Sequence, residues 1–70
     1  MSLQPYQQRV VDEKASLDEK LAKLLAFRRT ELFAGLPTSE QVLLHDQCMH
    51  MSGYSEVLGK RIAAFHPNGG

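Results

Sequence analysis

Two pairs of residues in this 70-residue chain have side chains suited to holding a small, flat anion. Tyr6 stands three residues before Arg9, and Tyr54 stands seven before Arg61. Phenol rings stack on planar heterocycles, and guanidinium groups fork onto phosphate or carboxylate oxygens. Seven residues are close to two helical turns, so Tyr54 and Arg61 would share one face of a helix. The same four side chains serve as packing at a helix interface and as surface ion pairs. Composition alone favours that plainer reading over ligand binding.

Metal and catalytic chemistry find less support. His45, Cys48 and His50 lie close in sequence and His66 lies far away. Helical ligands converge three or four residues apart, and His45 to His50 misses that spacing. A nucleophilic thiol must be exposed, electropositive in its surroundings and beside a base. Cys48 falls on the apolar seam traced below, where a free cysteine acts as a small hydrophobe. Glu13, Asp18, Glu19, Glu31, Glu40 and Glu56 read as solvated helix faces. No strand precedes a glycine-rich loop that would cradle a phosphate. The expectation is a protein without metal, cofactor or catalytic residues, and not an enzyme.

Eight Lys and Arg balance eight Asp and Glu. Duplex nucleic acid is bound largely through counterion release by clustered cations, which a neutral chain lacks. A small anion needs only two or three well-placed cations. With one cysteine no bridge can form within the chain, which fits a reducing compartment. No basic stretch precedes an apolar run at the N-terminus, and no apolar run is long enough for a membrane helix. A cytoplasmic protein with no membrane partner is expected.

The elements that must position these residues are helical. Pro5 suits a first turn, and Val10, Leu17, Leu21, Leu24 and Phe27 or Arg28 advance in steps that mark one helical face. Val11 and Leu25 widen it. Asp12, Glu13, Lys14, Asp18, Glu19, Lys20 and Lys23 are assigned to the solvent side, with Glu19 and Lys23 paired across one turn. This helix should run from about residue 5 to 29. Leu32, Phe33 and Leu36 then give a short helical turn in a connector over residues 30–38, bent at Gly35. Thr38 with Gln41 three residues on satisfies the spacing of a capping box, predicting a second helix over about 39–65.

On that helix Leu44, Cys48, Met51, Ser55, Leu58, Ile62 and Phe65 alternate steps of four and three, the seam of near-antiparallel partners. Leu43, Tyr54 and Val57 extend the apolar surface to one side. Ser52, Ser55, Gly59 and Ala63 would admit a close neighbour. Gly53 and Gly59 each cost roughly 0.5–1 kcal/mol against Ala inside a helix, so a neighbour or a ligand should approach there. Residues 66–70 read as a flexible tail. The fold class is all-α: one domain over residues 1–65, an antiparallel two-helix hairpin. A lone hairpin leaves Val11, Leu25, Leu43 or Val57 wet, so assembly into a homo-oligomeric bundle is expected.

Tyr6-Gln7-Gln8-Arg9-Val10, then Glu13, Leu17, Lys20, Lys23-Leu24, Phe27 and Phe33, form one motif; Glu40-Gln41, Leu43-Leu44, Gln47, Met51, Tyr54, Leu58 and Arg61-Ile62 form a second. Together they resemble a family of small phage proteins related to an open reading frame of a crAss-like phage. That family is similar to helical phage sponges, oligomers that bind cyclic nucleotides and related immune messengers between subunits and keep a bacterial defence effector off. The resemblance implies ligand binding by Tyr6, Arg9, Gln47, Tyr54 and Arg61, a nucleotide second messenger and the chain itself as partners, and action in the host cytosol. It assigns Tyr6 or Tyr54 to stacking, Arg9 or Arg61 to phosphate, and Gln47 to a base edge. His50 and Gly53 depart from it, standing where charged helix formers are more usual. The rival reading is an oligomeric interaction module that grips a host or phage protein through its apolar face.

Overall fold

A computed structural model describes residues 3–65, and every regular element among them is helical: α1 (Pro5–Phe27), α2 (Glu31–Ala34) and α3 (Thr38–Ala63). Pro5 occupies the first turn of α1, and the side chain of Gln7 accepts the Gln4 backbone N–H at 2.8 Å. At the other end one threonine serves two helices. The Thr30 hydroxyl donates to the Phe27 carbonyl at 2.7 Å and accepts the Phe33 N–H at 3.2 Å, closing α1 and capping α2. α1 therefore stops at Phe27, two residues short of the expected end.

The connector departs from the expected design in two ways. Gly35 ends α2 with φ −83°, a right-handed conformation open to any residue, so no left-handed bend is made there. Thr38 is not a cap but the first residue of α3, since Pro37 holds the extended position before it. Gln41 is thus not a capping-box partner. Its amide turns back and donates to the carbonyls of Leu36 at 2.9 Å and of Phe33 and Ala34 at 3.2 Å. Two amide hydrogens are shared among three acceptors, of which the Phe33 carbonyl also accepts the Leu36 N–H at 3.0 Å. α3 ends at Ala63, and the expected tail at residues 66–70 lies outside the described residues.

α1 and α3 lie side by side in opposite directions, within an envelope of 50 × 15 × 15 Å. Tyr6 meets Phe65 at one end, Lys14 meets Ser55 partway along, and Arg28 meets His45 near the other end. The seam holds Val10, Cys48 and Leu58, all buried, with Leu17, Leu21, Leu24, Leu44, Met51 and Ile62 half-buried around them. Edge-to-face aromatic pairs close both ends, Phe27 on Phe33 and Tyr6 on Phe65, each with ring centroids 6.0 Å apart. A core one layer thick leaves apolar surface over: Leu25, Leu43 and Val57 are exposed, as expected, and Val11 is half-buried.

Lys14 and Asp18, expected on the solvent side, are half-buried at the edge of the seam. Lys14 completes the rhythm Val10, Lys14, Leu17, Leu21, Leu24, Arg28, and its ammonium bonds Asp18 at 2.7 Å and the Ser55 hydroxyl at 3.1 Å. Ser55 in turn donates to Asp18. The aliphatic stem of a lysine packs like an apolar side chain while its head stays polar. Here the stem lies against Gly59, where a Cβ would stand 3.3 Å from Lys14 Cε. Gly59 thus faces α1 of its own chain, whereas a Cβ on Gly53 would meet nothing. The expected surface pair, Lys23 with Glu19, forms at 3.3 Å.

Candidate functional site

α3 carries a second line of residues at the same alternating spacing as its seam: Leu43, Gln47, His50, Tyr54, Val57 and Arg61, all exposed. Three of the five candidate ligand residues, Gln47, Tyr54 and Arg61, lie on it. At 1.5 Å per residue each is separated from the next by about 10.5 Å along the helix. Phe65, four residues beyond Arg61, continues the line and packs edge-on against Tyr6. Tyr6 is thereby fixed at the Arg61 end, half its surface still open, with the Gln7 amide 3.5 Å from its hydroxyl. Arg9, one turn on from Tyr6, is exposed.

The five residues do not converge in one chain. Gln47 and Arg61 are about 21 Å apart along α3, and the Gln47 amide has only a weak 3.9 Å contact with Met51 Sδ. Arg9 and Arg61 enter no ion pair among the described residues, so both guanidiniums are available to an anion.

A cationic cleft at the other end was not anticipated. Leu25, Arg28, Arg29 and Phe33 line a shallow depression of about 360 Å³ where α1 gives way to α2. Adjacent arginines at a helix end, beside an apolar connector, were the available signal. Arg28 donates to Nδ1 of His45 at 3.0 Å, which requires a lone pair on that nitrogen. His45 is thus turned to α1 rather than to Cys48, whose thiol is buried in the seam.

Among the described residues Asp18 is the carboxylate held away from its ordinary value. The hydrogen bond from Lys14, then that from Ser55, holds it below the ordinary aspartate value against a smaller opposing effect of burial. Among the described residues no three His, Cys, Asp or Glu side chains gather as a metal site, and no helix is long and apolar enough to cross a membrane. What the exposed groups offer is adhesion: rings for stacking, guanidiniums for oxyanions, an amide for a polar edge.

Comparison with known proteins adds one relationship. The family model described as Sequestin matches residues 4–64, spanning all three helices. No curated protein and no solved structure matches the chain.

Proposed function

The chain belongs to the Sequestin family, and on that premise we propose that it binds and holds a cyclic nucleotide or related nucleotide immune messenger without cleaving it. The family's name denotes sequestration of a molecule rather than its conversion. The setting is that of a phage protein in its host's cytosol, withdrawing the messenger from a defence effector such as that of a cyclic-oligonucleotide system.

The observation that carries this reading is the exposed line on α3, where Tyr54 and Arg61 stand two turns apart on one face. Tyr54 or Tyr6 stacks on a base, Arg61 or Arg9 takes a phosphate, and Gln47 reads a base edge. Their spread along one chain favours a site completed by other copies, and Leu43 and Val57 supply apolar surface for self-association. Holding rather than turning over suits this chemistry, since tight binding alone removes a messenger.

The test is native mass spectrometry with cyclic di- and trinucleotides and ADP-ribose-type messengers, on the wild type and on Tyr54→Ala, Arg61→Ala and Arg29→Ala. The wild type should retain one messenger and release it intact on denaturation. Tyr54→Ala and Arg61→Ala should each weaken retention about ten-fold, the order of one stacked base or one charge-assisted bond, while Arg29→Ala leaves it unchanged. Loss confined to Arg29→Ala would move the site to the cleft beside Phe33. A wild type that retains none of these compounds would replace this reading with the protein-binding module.

A further inference from the structure

The outer face of α3, opposite the seam with α1, is spaced evenly about Gly53, with apolar residues matched and charges opposed. Val42, Asp46, Met49, Gly53, Val57, Lys60 and Ala64 form this face in steps of three and four. Val42, Met49 and Val57 are each more than half exposed. Gly53 lies midway. Four residues to either side stand Met49 and Val57, both apolar. Seven to either side stand Asp46 and Lys60, opposite in charge. Eleven to either side stand Val42 and Ala64.

We infer that a second copy of the chain packs antiparallel against this face, α3 on α3, about a two-fold axis at Gly53. Such an axis sets each residue before Gly53 level with the one equally far after it in the other copy. Met49 then meets Val57 twice, Asp46 meets Lys60 twice, and Val42 meets Ala64 twice. The two Gly53 residues cross where missing side chains permit the closest approach. A parallel pair would instead oppose Asp46 to Asp46 and Lys60 to Lys60. An unrelated partner would require no such symmetry, so the occupant is this chain itself.

Two further observations agree. A Cβ on Gly53 would touch nothing within the chain, so intrachain packing gives no reason for a glycine that weakens the helix. Neither Asp46 nor Lys60 enters an ion pair among the described residues.

The pairing also bears on the proposed ligand site, and in that respect it rests on the reading above. Gln47, Tyr54 and Arg61 flank the outer face on one side, and an antiparallel two-fold puts that flank of both copies on the same side of the pair. Gln47, six residues before the axis, comes within about 3 Å in height of Arg61 of the second copy, eight residues after it. The two Tyr54 rings rise next to the axis, also about 3 Å apart in height. Groups spread along one helix are gathered by two.

The experiment is multi-angle light scattering on a sizing column without nucleotide, with circular dichroism to confirm helix content. The wild type should be a dimer or a multiple of one. Asp46→Lys or Lys60→Asp alone should weaken association at least ten-fold, and the double variant should restore it. Gly53→Cys should cross-link on mild oxidation through residue 53, shown by peptide mapping, even where a charge variant fails to fold. A monomeric wild type, assembly indifferent to the single swaps, no rescue by the double swap, or no cross-link at residue 53 would each overturn the pairing. None of the substituted residues is a ligand candidate. A dimer that holds no nucleotide would refute only the sequestration reading, and a monomer that holds one would refute only the pairing.

Discussion

Lys14 on α1 reaches the Ser55 hydroxyl on α3 at 3.1 Å while holding Asp18, one turn along its own helix, at 2.7 Å. A polar layer inside an apolar seam matches only its own counterpart, so it favours one alignment of the two helices over a slip by a heptad. Lys14 against Gly59 agrees with this alignment, because a Cβ there would stand 3.3 Å from Cε and the stem would have to shift by a few tenths of an ångström.

The layer gives stability a pH dependence of definite sign. Asp18 titrates lower in the folded chain than in the unfolded one, with Lys14 the main cause. Its contribution is complete above about pH 4, the ordinary aspartate value, and is lost as pH falls through the lower folded value. Melting followed by circular dichroism should show Asp18→Asn with a lower Tm at pH 7, and the gap to wild type should close toward pH 2. A gap that stays constant with pH would remove Asp18 from the layer.

Leu58 is the most enclosed apolar side chain, 1% exposed, whereas Leu32 is 75% exposed. Leu58→Ala should cost about 2–5 kcal/mol. In a chain of this size that lowers Tm by roughly 10 °C or more. Leu32→Ala should stay within about 0.5 kcal/mol of wild type. Urea titration of both variants checks the contrast, and equal losses would contradict the seam.

Cys48 is 4% exposed. Labelling by a chromogenic disulfide reagent should therefore proceed only through opening of the helix pair, at least about 100-fold slower than in denaturant. Rapid labelling of the native protein would show that the thiol faces outward.

Gln41→Ala removes the amide that holds three connector carbonyls. The expected loss is about 1–2 kcal/mol. Gln41→Glu should lose more, because a carboxylate offers those carbonyls no donor. Denaturant midpoints order the three proteins, and a Glu variant as stable as wild type would exclude the clasp.

Much of the architecture is legible in the period of the apolar residues, which places both long helices within two residues of their observed ends. What escaped has physical causes. Lys14 and Asp18 carry charges, and pattern reading sends charges outward, whereas a lysine stem can fill a seam if its head finds partners. Thr38 and Gln41 have capping-box spacing, but Pro37 already sets the entry to α3 and frees Gln41 for the connector. Gly53 and Gly59 look alike in sequence, and only the position of α1 separates them. The shared face of Tyr54 and Arg61 is legible in their seven-residue spacing, whereas the place of Tyr6 beside Phe65 depends on how α1 lies on α3. The depression at Arg28 and Arg29 depends on where α2 sets Phe33, which no spacing within α1 foretells.

The Gln41 clasp spans at most eight residues of chain, from Phe33 to Gln41. So short a loop closes at little entropic cost, and every seam contact beyond it encloses a longer one. The helix pair should therefore zip from its turn outward, with Tyr6 and Phe65 docking last. Amide exchange should quicken along α3 from Leu44 toward Ile62. The end that carries Tyr6 and Arg61 should then be the less protected one, while the turn stays shut.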